Sequence, residues 1–298
     1  MLPSVTALVD ALAAVPPTRF AGVQAGTIAL LDVRPAAEPA GSGGTVVFVP
    51  GWTGSKEDFL LMLDPLSRAG LRVVTYDQRG QHESHDASTN PDDFTVERLA
   101  DDLLDLVDAI EVGPVHVVGH SFGGLVARAA VLARPSSFRS LVLLASGPAA
   151  LRGPRVDRTL ALAPILESGG MAALHVALEQ QALEQQAADA RATAVPEAWR
   201  ELLRRRFLAS SPVALQATGR ALATEPDRVA ELAELTSAGL PALVLHGEAD
   251  DAWSPADQAD MARRLGAQHV VLPDVAHSPA LEDPAGTVRA LREFWELS

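Results

Sequence analysis

The residues of this sequence best suited to covalent catalysis are a serine, an aspartate and a histidine that stand far apart along the chain. The serine, Ser121, lies in Gly-His-Ser-Phe-Gly-Gly, directly after an apolar run and directly before an amphipathic helical pattern. A tight turn between a strand and a helix lifts a serine hydroxyl out of the sheet, where a base can activate it. Glycines two residues before and after the serine relieve the crowding of such a turn. The pattern predicts that Ser121 is a nucleophile, provided that the chain supplies its partners.

The required acid and base both follow apolar runs later in the chain. Asp250 comes after the run at 243–245, and His277 comes after the run at 269–272. The order serine, acid, histidine is the one expected when each group lies on a loop after a strand. His277 would take the proton of the serine, and the carboxylate would orient the imidazole. Asp251 is an adjacent carboxylate that residue type alone does not separate from Asp250.

Short apolar runs rich in β-branched residues alternate with helical patterns on both sides of these residues. The predicted strands are 27–33, 45–49, 71–76, 115–118, 141–144, 243–245 and 269–272. The predicted helices are 56–69, 96–110, 125–133 and 256–265. The first strand is expected to pair antiparallel with its neighbour, before a Gly-rich turn at 41–44. Repeated alternation favours an α/β fold with a doubly wound, mostly parallel sheet.

Between 148 and 236 the strand patterns stop, and Ala, Leu, Glu, Gln and Arg dominate. We therefore predict a helical insertion at 148–236 between two parts of one core, 1–147 and 237–298. Three successive arginines at 204–206 could bind an anionic substrate. They would spread around most of a helix, however, so we interpret them as a solvated face.

Composition excludes several classes of function. The chain has no cysteine, so disulfides and thiolate chemistry are absent, and any nucleophile must be oxygen or nitrogen. A net charge of −14 argues against nucleic-acid partners. A single lysine and no phosphate-binding loop argue against nucleotide chemistry, so no organic cofactor is expected. The oligomeric state is not predicted.

Location and metal binding follow from the same sequence. The N-terminus lacks the positive start of a secretory signal, which favours a cytoplasmic protein, and no run is apolar enough for a membrane span. His82 and His85, with Glu83 and Asp86 beside them, superficially suggest a metal site. They are three apart in a loop, so we predict no metal there and a solvated loop at the rim of a pocket.

These motifs together identify the sequence as similar to the α/β-hydrolase superfamily, in the broad group of serine esterases, lipases, perhydrolases and carbon–carbon bond hydrolases with a helical cap. Two further segments carry the resemblance. Val-Pro-Gly-Trp at 49–52 resembles the family's His-Gly loop after an early strand, and Asp-Gln-Arg-Gly-Gln-His-Glu-Ser at 77–84 resembles its Asp-x-Arg-Gly-x-Gly-x-Ser segment. Pro50 replaces the usual histidine of the first, and His82 replaces the second glycine of the other.

The resemblance implies a catalytic triad, an oxyanion hole and a substrate class. By motif position, the backbone N–H groups of Trp52 and Phe122 are the oxyanion donors, and family spacing favours Asp250 over Asp251 as the acid. His120 is interpreted as a structural neighbour of the nucleophile. We expect a carboxylesterase-like serine hydrolase acting on an ester, thioester or lactone of a small to medium hydrophobic compound. The alternatives are carbon–carbon bond hydrolysis on the same triad and a non-catalytic ligand-binding protein.

Overall fold

The computed structural model of the protein describes residues 4–35, 44–86, 88–110, 113–188 and 196–297, with the side chains of 5 and 182–188 excepted. The predicted turn at 41–44 lies mostly outside these residues. The described residues form a single mixed sheet flanked by helices, as the alternation of strand and helix patterns predicts.

Eight strands in the described residues form one sheet in the order β1-β2-β4-β3-β5-β6-β7-β8. Their bounds are β1 Arg19–Val23, β2 Gly26–Val33, β3 Thr45–Val49, β4 Arg72–Tyr76, β5 Val115–His120, β6 Phe138–Leu144, β7 Ala242–Gly247 and β8 Gln268–Leu272. Strands β3 to β8 pair in parallel, and β2 pairs antiparallel with β1 and β4. The expected antiparallel strand is therefore present. The sequence interpretation missed β1, a five-residue strand at the edge of the sheet with an exposed start.

Twelve α-helices lie in the described residues. Their bounds are α1 Val5–Ala13, α2 Leu60–Arg68, α3 Val96–Ala109, α4 Phe122–Ala133, α5 Pro154–Ala161, α6 Ala163–Ala188, α7 Glu197–Ala209, α8 Pro212–Thr224, α9 Val229–Ser237, α10 Pro255–Leu265, α11 Pro279–Glu282 and α12 Pro284–Phe294. The predicted helix at 56–69 is a 3₁₀ helix, Lys56–Phe59, followed by α2. Helix α6 is interrupted at Gly170, whose φ is 66°.

The alternation of side chains along the buried strands supplies a core on each face of the sheet. One core joins residues such as Val47 and Val117 to helices α3, α4, α9 and α10. The other joins Val46 and Val118 to α1, α2 and α12. Since strands β3 and β6 are buried on both faces, they read as continuous apolar runs.

Helices α5 to α9 all lie between β6 and β7, and we call them the inserted helices. Leu162, Leu166, Leu174, Phe207 and Leu215 give them a small apolar cluster of their own. Among the described residues no single helix is long and apolar enough to cross a membrane. Helix Pro154–Ala161 and the segment Ala163–Gln181 are long and apolar enough only when taken together, and their axes are bent by 64° relative to each other.

Candidate active site

Ser121 lies at the turn between β5 and α4, at the carboxyl edge of the sheet, with φ 54° and ψ −121°. A non-glycine residue in this region is strained, and the surrounding structure must hold it there. The Ser121 N–H donates to Leu144 O on the neighbouring strand at 2.9 Å. A Cβ at Gly119 would lie 2.4 Å from Gly123 O, and a Cβ at Gly123 would lie 2.3 Å from Val49 O. Both glycines are therefore required by the close approach of the backbone.

The structure brings together the three residues that the sequence placed on separate loops. His277 Nε2 lies 2.9 Å from Ser121 Oγ, and His277 Nδ1 lies 2.9 Å from Asp250 Oδ1. Because the carboxylate can only accept, Nδ1 carries the proton, and Nε2 of the neutral imidazole is free to accept from the serine hydroxyl. This arrangement of hydrogen bonds can move a proton from Ser121 to His277.

The structure separates the two adjacent aspartates. Asp250 is 5% exposed and also accepts hydrogen bonds from the Ala252 N–H and from Gln258 Nε2, both at 2.9 Å. Burial by itself would raise the pKa of Asp250, but the hydrogen bonds and the charge of His277 outweigh it and lower that pKa. Asp251 instead forms an ion pair with Arg155 of α5. Sequence reasoning missed Gln258, and no motif in the sequence marks it.

The loop that carries His277 is held on both sides. Glu282 accepts from the Ala276 N–H and from the Ser278 N–H, each at 2.7 Å, so one carboxylate clamps the residues before and after His277. His120 Nε2 donates to His277 O at 2.8 Å. Desolvation by burial, and then the nearness of His277, lower the pKa of His120 to about 4. His120 is thus a neutral support for the backbone of His277, which agrees with the structural role predicted for it.

The loop with Pro50 and Trp52 lies directly against Ser121, since a Cβ at Gly51 would be 3.3 Å from Ser121 Cβ. Gln78 Nε2 donates to Pro50 O, and Gln81 Nε2 donates to Gly51 O, both at 2.8 Å. These two hydrogen bonds from the 77–84 segment support the loop, in which Pro50 occupies the position of the histidine in the family's motif.

The two predicted oxyanion donors start from this loop and from helix α4. Within the described part of the chain, neither the Trp52 N–H nor the Phe122 N–H has a hydrogen-bond acceptor, so both remain open to a ligand. The Trp52 indole contributes to the pocket wall, and its Nε1 donates to Leu215 O of α8 at 2.9 Å. Trp52 therefore also joins the sheet edge to the inserted helices.

A buried charged cluster lies behind this loop and consists of Lys56, Glu57, Asp77, His82 and Glu83. Lys56 Nζ lies 2.9 Å from Asp77 Oδ2, 2.9 Å from Glu57 Oε1 and 2.6 Å from Glu83 Oε2. Burial opposes the ammonium charge, but the neighbouring carboxylates outweigh it and raise the pKa of Lys56.

The prediction of a solvated loop is wrong for His82 and holds for His85. His82 is 6% exposed, has φ 36° and lies 3.4 Å from Glu57, so the side chain that replaces a glycine fills the charged cluster. His85 is exposed. By residue type Glu57, Asp77 and His82 could hold a metal ion, but the Lys56 ammonium already lies among their oxygens. The expectation of no metal stays a prediction.

A cavity of about 440 Å³ opens over Ser121 and His277, between the sheet edge and the inserted helices. Its apolar wall includes Trp52, Leu151, Leu162, Trp199, Leu203 and Leu222. Three arginines of the inserted helices, Arg155, Arg158 and Arg206, line it as well. The interpretation of 204–206 as a solvated face is therefore wrong for Arg206, whose side chain is 11% exposed and contacts Asp58. Arg204 does face solvent.

The chain is similar to known proteins both in sequence and in fold. Residues 44–284 match the sequence model of a family described by the alpha/beta hydrolase fold. The chain is similar to the putative carbamate hydrolase RutD of Stutzerimonas stutzeri (strain A1501), with 35% identity over 98 residues, which are 33% of this chain and 36% of RutD. The match therefore spans about a third of that relative's length.

Two solved structures are similar over nearly the whole chain. A bromoperoxidase from Bacillus anthracis has a TM-score of 0.77 at 20% identity, covering 94% of this chain and 100% of its own. An esterase from Exiguobacterium antarcticum has a TM-score of 0.75 at 19% identity, covering 94% and 100%. At such low identity these similarities show the fold and leave the reaction to be argued from the site.

Proposed function

Because this chain belongs to the α/β-hydrolase family, we propose that it is a serine hydrolase that cleaves a carboxylic ester, thioester or lactone through an acyl-enzyme on Ser121. The observation that carries the proposal is the unbroken chain of 2.9 Å contacts from Ser121 Oγ through His277 to Asp250. The apolar wall of the cavity favours a small to medium hydrophobic acyl group.

In the proposed mechanism Ser121 Oγ attacks the carbonyl carbon while His277 Nε2 takes its proton. The N–H groups of Trp52 and Phe122 donate to the oxygen that becomes negative, and Asp250 stabilises the imidazolium. His277 then gives the proton to the leaving alcohol or thiol, which completes the acyl-enzyme. A water molecule, deprotonated by the same histidine, attacks the acyl carbon, and the carboxylic acid leaves as Ser121 recovers its proton.

The inserted helices are proposed to act as a cap, 148–236, over this site. Helix α8 accepts the hydrogen bond of the Trp52 indole, and α5, α6, α7 and α8 supply residues to the cavity wall. Since α5 to α8 border the pocket but contribute none of the triad, they would determine which substrate fits without taking part in the proton transfers.

Covalent labelling with a fluorophosphonate probe tests the nucleophile. We expect stoichiometric labelling of the wild type and none of Ser121→Ala, because the probe reacts only with an activated serine. Ser278→Ala is the matched control, since Ser278 lines the same cavity and is expected to leave labelling in place. Absence of labelling in folded wild-type protein would contradict the proposal and favour a non-catalytic ligand-binding protein.

The reaction class is tested with a panel of neutral short-chain esters, thioesters, lactones and diketones. Turnover of the acyl compounds that disappears in Ser121→Ala supports the proposed function. Turnover confined to the diketones would replace it with carbon–carbon bond hydrolysis on the same triad.

A further inference from the structure

The inserted helices give the catalytic pocket a positive side, although the protein as a whole carries a net charge of −14. Among the residues that the structure describes, the pocket is lined by three guanidinium groups, Arg155, Arg158 and Arg206, and by two carboxylates, Asp58 and Asp251. The arginines therefore exceed the carboxylates by one at the mouth of this site. A neutral ester would offer this excess positive charge no anionic partner, whereas an anionic group on the substrate would.

Two of the three arginines already have partners. Arg206 of α7 contacts Asp58 and donates to Ser55 Oγ at 2.9 Å. It therefore joins the inserted helices to the segment of the core that also carries Lys56 of the charged cluster. Arg155 of α5 forms an ion pair with Asp251, directly after the triad aspartate. These two guanidinium groups are occupied by structural contacts.

Arg158 is different. Its nearest carboxylate oxygen, on Asp251, lies 3.8 Å away, which is longer than a hydrogen bond. In the described parts of the chain the Arg158 side chain forms no hydrogen bond, and it is 47% exposed. Its N–H donors are thus available at the pocket, while Asp251, held by Arg155, keeps the guanidinium close to the core.

Resting on the proposed hydrolase function, we propose that the substrate is an acyl compound whose end remote from the scissile carbonyl carries one carboxylate, and that Arg158 binds that carboxylate. A planar guanidinium with several donors matches the two oxygens of a carboxylate. Leu151, Leu162 and Leu222 line the same cavity as Arg158 and Ser121, and they would contact the apolar part of the acyl chain.

The charge balance favours a singly charged group. One carboxylate neutralises the single excess guanidinium, whereas a dianionic phosphate would leave a net negative charge beside Asp58 and Asp251. An amine-terminated substrate would add a cation to a pocket that already has an excess of one. The structure therefore points to a monoester, thioester or lactone derived from a dicarboxylic acid.

A matched pair of substrates tests this assignment. The p-nitrophenyl monoester of glutaric acid and p-nitrophenyl pentanoate have acyl chains of equal length and differ only in a terminal carboxylate or methyl group, and the comparison extends to longer diacids. We expect the wild type to prefer the carboxylate member in kcat/KM, with a preference that decreases as salt is raised. In Arg158→Gln we expect the ratio of carboxylate to methyl substrate to fall about 10- to 100-fold, the usual effect of one charged hydrogen bond.

Arg204→Gln is the control, because Arg204 lies on α7, faces solvent and contacts Glu201 instead of the pocket. It should keep the wild-type ratio. Reactions with Ser121→Ala supply the blank for spontaneous cleavage of the monoesters. A wild type without preference at any chain length, or a ratio that Arg158→Gln leaves unchanged, would overturn the assignment while leaving the hydrolase proposal intact.

Binding distinguishes failure of the inference from failure of the proposed function. N-phenylglutaramate and N-phenylpentanamide are amide analogues of the two substrate types, and calorimetry measures their affinity without turnover. Tighter binding of the glutaramate that is lost in Arg158→Gln supports the carboxylate site even if no ester is cleaved. Equal binding of both analogues by wild type and variant would reject it.

Discussion

The two sides of the pocket over Ser121 are built differently. On the sheet side the functional groups are largely buried and each has several partners: Asp250 accepts three hydrogen bonds, and Glu282 and His120 hold the loop of His277. On the side of the inserted helices, Arg155 and Arg158 are partly exposed and rely on the single carboxylate of Asp251.

This difference separates two tasks. Proton transfer requires groups held to within a fraction of an ångström, which a parallel sheet provides because its loops start from rigid strand ends. Selection of a substrate tolerates mobile, solvated groups. The sequence of the helices that line the pocket can therefore change without disturbing the triad. Several contacts join the two sides, and they include Trp52 Nε1 to Leu215 O, Arg206 to Asp58 and the Ser211 N–H to Gly80 O.

The adjacent pair Asp250 and Asp251 gives the largest expected contrast. Asp250→Asn should lower kcat by about 10³- to 10⁴-fold, because an amide favours the wrong imidazole tautomer. Asp251→Asn should lower it less than about 10-fold, since in the described ranges the Asp251 carboxylate pairs only with the partly exposed Arg155 and Arg158 of α5. Steady-state kinetics on a neutral ester measure both. Similar losses in the two variants would break the proposed division between the sides.

The buried lysine provides a test on stability. Lys56→Met leaves Asp77 and Glu57 buried without their cation, and we expect the free energy of unfolding to fall by about 3 to 5 kcal/mol. The control is Arg200→Met on α7, whose exposed ion pair with Glu197 should contribute less than about 1 kcal/mol. Urea unfolding at neutral pH measures the difference. Equal effects would mean that the core cluster is no more important than a surface pair.

The lowered pKa of His120 predicts how the free energy of unfolding changes in acid. Its pKa is about 4 in the folded protein and about 6.5 in an unfolded chain, so between these values only the unfolded state takes up the proton. Stability from this group is therefore complete above pH 6.5 and falls by about 3 kcal/mol as pH decreases to 4. Urea unfolding from pH 7 to 4 should show this component in the wild type and lack it in His120→Gln. An identical pH dependence in both proteins would rule out His120 as its source.

The smallest expected effect comes from disturbing the position of the His277 loop. Glu282→Gln replaces one of the two acceptor oxygens that hold the N–H groups of Ala276 and Ser278, and the His277 loop should shift. We expect kcat to fall about 10- to 100-fold, the effect of a misplacement near 1 Å. Glu201→Gln on α7 is the control on the inserted helices. Unchanged kcat in Glu282→Gln would show that the loop needs no clamp.

The sequence determined most of the fold and the identity of the triad candidates. Seven of the eight strands in the described residues were predicted, because each contains a short apolar run, whether the strand is buried on both faces like β3 or largely exposed like β8. Ser121, Asp250 and His277 each follow such a strand, so the parallel sheet alone requires them to meet at one edge.

Only the tertiary structure decided between Asp250 and Asp251, placed His82 in a buried cluster, and brought Arg206 into the pocket. Each of these depends on the direction in which a side chain leaves its loop or helix, and residue type does not encode that direction. The supports Gln258 and Glu282 were missed for the same reason. They act through hydrogen bonds to loop residues four to eight positions earlier in the chain, and a single polar residue on a helix carries no pattern that distinguishes it from a solvated one.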